Sequence, residues 1–168
     1  MEFMFAGKVK EHYEIQLKKL LHLKNLYPNL ILPFVAVDPR RNTIFDIVKN
    51  YIEEHSFSGI KIYPRLGFYP NDARLLKIYE YAQSKNIPIL SHCSRGGVYT
   101  KKITPEMLKH PIRGIVTKTK PKDFSHYFTE PQNYIPILEK FPNLKICLAH
   151  FGGNAEWDAY LDTAWNPQ

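Results

Sequence analysis

The sequence predicts an α/β fold assembled from parallel (β/α) units. Four short, nearly continuous apolar runs and the helical-period segments between them carry that prediction. Continuous apolar runs suit strands buried on both faces, as in parallel sheets. Strand alternating with helix implies right-handed crossovers. Length sets the limit: the chain has 168 residues, and a complete eight-stranded α/β barrel takes about 250.

Taken in order, the predicted strands are Leu30–Val37, Gly59–Tyr63, Ile87–Ser91 and Leu144–Ala149. The first predicted helix, Glu11–Leu26, spaces Tyr13, Leu17, Leu20 and Leu21 on one face, with the apolar stem of Lys24 extending the stripe. The second, Thr43–Glu54, aligns Ile44, Ile47, Val48, Tyr51 and Ile52, with Asn42 or Thr43 as its expected cap. The third, Asp72–Ser84, aligns Leu75, Leu76, Tyr79 and Ala82 behind a cap at Asn71. A fourth, Asn133–Phe141, tolerates Pro136 only in its first turn. A last helix is expected after the fourth strand.

The first three strands start about 28 residues apart, a usual length for one βα unit. The step from the third to the fourth is about twice that. The extra residues form an insert at about 94–130, rich in Thr, Pro, Lys and Gly. It begins at the C-terminal end of the third strand, the end that carries active sites in parallel α/β folds.

Composition narrows the class. Apolar residues are 44%, charged residues 23% and aromatic residues 14%, which describes a folded domain and excludes a disordered chain. The net charge is +7. Between Lys101 and Lys122, seven Lys and Arg oppose the single Glu106, so most of the excess sits in the insert. Such a patch draws an acidic substrate or partner, or is simply a solvated loop. It lacks the aromatic–basic interleaving of a nucleic-acid surface. Two cysteines, Cys93 and Cys147, make no disulfide framework; Cys147, inside an apolar run, reads as a core residue. No segment reaches the roughly 18 apolar residues of a membrane span, and Met1–Gly7 does not read as a signal peptide. A reducing cytoplasm is the expected compartment.

The chemistry concentrates at strand ends. His92 follows IPILS and His150 follows LKICLA. Imidazoles at equivalent ends of neighbouring strands can converge, as metal ligands or general bases. A single strand-end His is more often a hydrogen-bonded core residue, but two at matching positions favour a site. Lys61, inside the second run, must find a counter-ion, shift its pKa or snorkel to solvent. Tyr63 shares its parity and can donate into the same space. Arg65 and Arg95 follow the second and third strands, and either could hold a carboxylate bidentately. Asp38 reads as a turn cap, and Gly152-Gly153 allow positive φ. Cys93, adjacent to His92, points to the opposite face and is discounted as a nucleophile. Of the other histidines, His126 reaches the site only if the insert folds back.

The segments VAVDP, GIKIYP, IPILSHCS and FPNLKICLAHFGG, in that order, resemble the amidohydrolase-related family, amidohydrolase family 2. Its members are metal-dependent TIM-barrel hydrolases and decarboxylases. The resemblance runs from about Leu30 to Gly153 and implies strands three to six of such a barrel. It implies a metal-ligand role for His92. His150 would bind a second metal or polarise the attacking water. Lys61 falls where some relatives carry a metal-bridging carboxylated lysine. The expected cofactor is a divalent metal, Zn²⁺ by preference, and the expected partner is a small, acidic substrate held by Tyr63, Arg65 and Arg95.

The sequence also departs from the family. It has no His-x-His pair, and neither Asp158 nor Asp162 sits at a strand end. The resemblance therefore implies two further strands before Met1 and two after Gln168. Residues 1–168 are expected to form one partial TIM-barrel domain, inactive or weakly metal-binding alone. The alternative is a non-catalytic half-barrel that pairs with itself or a partner through open sheet edges.

Overall fold

The computed structural model describes residues 12–153, together with 157, 158 and 161. Tyr13–Leu26 form helix α1, which buries Leu17 and leaves Ile15, Leu23 and Leu26 exposed. Two long-range bonds fix it: the Tyr13 hydroxyl donates to the Ala36 carbonyl at 2.6 Å, and Lys24 Nζ donates to the His55 carbonyl at 2.8 Å. Lys24 thus ties the helix down with its head as well as covering it with its stem.

Strand β1 is Phe34–Val37, shorter than the run Leu30–Val37 predicts. Leu30 and Leu32 are 81% and 73% exposed, and Pro33 interrupts the run. Helix α2, Ile44–Glu53, buries Ile44 and Val48. Thr43 stands at its N-cap without a side-chain bond, because its backbone is not in the extended conformation that capping needs. Strand β2 is Gly59–Ile62. A Cβ on Gly59 would lie 2.5 Å from the Phe34 ring and 2.6 Å from the Pro88 carbonyl, so only glycine lets β2 start here.

The third helical segment splits into a 3₁₀ turn, Ala73–Leu75, and helix α3, Leu76–Ser84. Its cap falls one residue later than expected: Asp72, in place of Asn71, accepts from the Arg74 amide at 2.9 Å. Asp38 holds the Arg40 amide and guanidinium in the same way, so it serves as the turn cap. Strand β3 spans Ile89–Ser94 and carries His92 within it.

The insert is not structureless. A 3₁₀ turn at Pro105–Leu108 leads into the hairpin β4, Lys109–His110, and β5, Gly114–Ile115. Then follow helix α4, Pro121–Phe124, and a 3₁₀ turn at Tyr127–Thr129. Tyr69, Met107, Val116, Phe124 and Phe128 form a second apolar cluster beneath them. Burying Phe124 and Phe128, both fully enclosed, contributes about 2–3 kcal/mol each. The insert thus carries a small apolar core, while the charges between Lys101 and Lys122 stay exposed, as a solvated face does.

After a 3₁₀ turn at Pro131–Tyr134, helix α5, Ile135–Lys140, begins with Pro136 in its first turn, as expected. Strand β6 is Ile146–Gly152. The four long strands form one parallel sheet in the order β1-β2-β3-β6, so the insert and α5 make up the crossover from β3 to β6. This is a (β/α) arrangement covering part of a barrel. Its core combines sheet residues such as Val35, Ile60, Ile62 and Ile89 with Leu75, Ile78 and Tyr79 from the α3 segment and Ile137 from α5. Cys147 is exposed, not a core residue, because β6 is the edge of this sheet among the described residues. Most of the helix expected after β6, and Asp162, lie outside the described residues.

Candidate active site

Parallel pairing places Ser91 beside Leu148 and His92 beside Ala149, so His92 and His150 emerge at the same end of neighbouring strands. Their rings meet edge to face with centroids 5.0 Å apart. The register slips between His92 and Ser94, where β6 turns. His150 and Phe151 take left-handed backbone conformations, φ 70° and 40°. Such conformations in non-glycine residues cost on the order of 1–3 kcal/mol and cluster at functional sites.

His92 is 5% exposed. Tyr63 lies flat on one side of it, and the loop after β3 closes over the edge. A carbonyl can only accept, so the 3.0 Å bond to the Gly96 carbonyl places the His92 proton on Nε2 and leaves the lone pair on Nδ1. The Tyr63 hydroxyl accepts from the Val98 amide at 3.1 Å. Gly97, at φ +87°, passes so close that a Cβ there would lie 2.2 Å from that hydroxyl. The loop therefore needs glycine at 97 to reach Tyr63 at all.

Burial pushes the His92 imidazole down to about 4; the positive fields of His150, Lys61 and Arg65 act in the same direction, against the Gly96 bond. His92 is thus neutral at pH 7. Burial also lowers the Lys61 ammonium, with the Cys93 and Cys147 thiols opposing the shift. Lys61 is half-buried, beside Leu90 of β3 in the register. Ser91 and Cys93 point the other way, and both contact the buried Tyr134 hydroxyl, at 2.7 and 2.9 Å. Cys93 is fully buried there and is structural.

Of the substrate-binding candidates, Arg65 is 1% exposed. Its Nη2 donates to the Lys122 carbonyl at 3.3 Å, and its guanidinium lies 5.6 Å from the Tyr99 ring centroid. Its backbone carbonyl accepts from the Thr100 amide at 3.0 Å. Arg65 therefore pins the insert over the strand ends. Arg95 is exposed at the mouth. The turn at Tyr127–Thr129 packs on β3 and on the turn after β2, which brings in His126. Burial lowers the His126 imidazole, and Arg95 and Arg65 lower it further.

The structure thus gathers His92, His150, Tyr63, Lys61 and Arg65, and adds His126 and the Gly96–Val98 backbone. No period in the insert's sequence announces that addition. A catalytic zinc takes three protein ligands. Among the described residues, no group of three or more His, Cys, Asp or Glu side chains converges. The two imidazoles do not make up a metal centre on their own.

Comparison with known proteins identifies the fold and the family. Two solved structures share the fold. One is 4-oxalomesaconate hydratase from Rhodopseudomonas palustris, 17% identical with a TM-score of 0.57; the match covers 91% of this chain and 42% of that one. The other is described as amidohydrolase II, 14% identical with a TM-score of 0.54; the match covers 92% of this chain and 51% of that one. This chain therefore spans about half the length of either structure. No curated protein sequence matches it. A family model described as amidohydrolase matches residues 17–166. With that model spanning the whole sheet and both strand-end histidines, the chain belongs to the amidohydrolase family.

Proposed function

We propose that this chain supplies the His92–His150 portion of a hydrolase or decarboxylase site that acts on a small acidic substrate. One observation carries the reading: two strand-end imidazoles, 5.0 Å apart, at the C-terminal edge of a parallel sheet. Neutral imidazole accepts a proton at pH 7, and site histidines are the usual general bases. In this reading His150 takes the proton from the attacking water. His92, kept neutral by burial, offers its Nδ1 lone pair, and Tyr63 fixes its ring. Lys61 adds positive charge beneath the pair. Arg95 meets the substrate carboxylate at the mouth, and Arg65 reinforces the field from below.

The family resemblance implies a divalent metal, with Zn²⁺ the expected ion. His92 and His150 would be two of its ligands, and at least one more is needed. Zn²⁺ alone is therefore expected to bind this chain weakly. A stoichiometric, tight Zn²⁺ site lost in His92→Ala contradicts that expectation.

The substrate reading is tested by NMR. Small dicarboxylates and oxo-dicarboxylates are titrated while the His92 and His150 ring signals are followed. Both rings are expected to shift together, and His150→Asn is expected to abolish the His92 response. Asn tolerates the left-handed backbone at this position, so the fold survives. Rings that stay silent, or a His92 response that His150→Asn leaves intact, sink the proposal.

A further inference from the structure

The insert also holds a cavity that the His92–His150 pair does not use. It measures about 460 Å³ and is lined by Tyr99, Lys101, Lys120, Pro121 and Lys122. It opens broadly to solvent, so it can receive one end of a ligand and does not enclose it. Three of the five lining residues carry an ammonium group and none is acidic. Glu106, the acid of the Lys101–Lys122 segment, is engaged by a hydrogen bond from Thr104. Asp123 follows Lys122, and its charge acts on His126.

The two limbs of the cavity are held by one residue. Arg65 accepts the Thr100 amide on the first limb and donates to the Lys122 carbonyl on the second. Thr100 and Arg65 are 2% and 1% exposed, so the anchor is rigid while the lysines stay in solvent. Lys101, Lys120 and Lys122 share this lining, so a multivalent anion can meet all three charges at once. Lysine binds phosphate as a point charge, whereas planar carboxylates favour the arginine fork. Three lysines and no acid among the five lining residues suit a compact oxyanion.

We propose that Lys101, Lys120 and Lys122 form a binding site for the phosphate end of a phosphorylated small molecule, separate from the histidine pair. Calorimetry at low salt tests it, with inorganic pyrophosphate as the probe, acetate as the monovalent control and a single-stranded oligonucleotide as competitor. Pyrophosphate is expected to bind one per chain and acetate not at all. The double variant Lys120→Gln/Lys122→Gln changes exposed side chains, so it folds. It is expected to weaken binding by about tenfold per lysine. His92→Asn is expected to leave binding unchanged, which separates this site from the histidine pair whatever that pair does. Absent pyrophosphate binding overturns the proposal. So does binding that survives the double variant, or binding lost in His92→Asn. Oligonucleotide binding that pyrophosphate fails to displace overturns it in favour of a nucleic-acid surface.

Discussion

Tyr63 lies flat on His92, with ring centroids 4.1 Å apart and planes 9° from parallel. The two residues come from neighbouring strands, one past the end of β2 and one inside β3. Their stacking fixes the imidazole plane, and the Tyr63 hydroxyl holds the loop that receives the His92 proton. One side chain therefore both dries and orients the proposed reactive ring.

Two substitutions separate these roles. Tyr63→Phe keeps the ring and removes the acceptor for the Val98 amide. It is expected to cost about 1 kcal/mol and to speed hydrogen exchange at Val98. Tyr63→Ala removes the ring as well, and water reaches His92. The His92 pKa is then expected to climb from about 4 toward its ordinary 6.5. An NMR titration reads this directly; a His92 that still titrates near 4 shows that Tyr63 is not what excludes water.

The insert should detach without the sheet. Phe128 is fully buried and packs edge-on against Tyr69 and Phe124. Phe128→Ala is expected to cost about 3–5 kcal/mol of local stability. Limited proteolysis should then cut between Tyr99 and Lys122, while far-ultraviolet circular dichroism keeps the signal of the sheet and its helices. Unchanged resistance to protease would show that the apolar cluster does not hold the insert down.

Much of this was legible in the sequence because parallel strands announce themselves. Continuous runs such as GIKIY and IPILS can be buried on both faces, and their order implied the sheet. The two histidines were legible because each directly follows such a run. The insert was not, since its apolar residues are scattered among lysines and prolines with no period. Phe124 and Phe128 are four apart in a segment whose helix has only four residues. Arg65 read as a loop cation, and only tertiary packing reveals that it is buried and bonded to the insert. Cys147 was misjudged because a run of apolar residues does not reveal whether its strand is central or at an edge.

The two cysteines offer a test of that edge. Cys93 is fully buried against Tyr134, whereas Cys147 is exposed. A soluble disulfide reagent is expected to modify one thiol at once in the native protein, and the second only on unfolding. Cys147→Ser should remove the fast phase and Cys93→Ser should not. A slow single phase in the native protein would mean that something covers β6 in solution.

Acid should destabilise the insert first, and His110 is the reason. It is 3% exposed. Its Nδ1 accepts amides from Ile112 and Arg113 at 3.1 and 3.2 Å, so Nε2 carries the proton and faces Glu130 at 3.3 Å. Tyr69 and Tyr127 flank the ring, and Arg113 bonds Glu130 at 2.9 Å. Burial pushes the His110 pKa down to about 4, with Arg113 adding to the shift. The unfolded chain takes up this proton near 6.5. Between these values the unfolded state binds more protons, so stability is full above about pH 6.5 and falls as pH drops toward about 4. The loss from this residue approaches about 3 kcal/mol at the acid limit. His92, also lowered to about 4, adds a second contribution of the same sign. His110→Asn keeps an acceptor near the Nδ1 position and cannot titrate. Urea unfolding at about pH 7 and about pH 4.5 is therefore expected to show a smaller acid loss in His110→Asn than in the parent chain. Equal losses in the two proteins would place the acid sensitivity elsewhere.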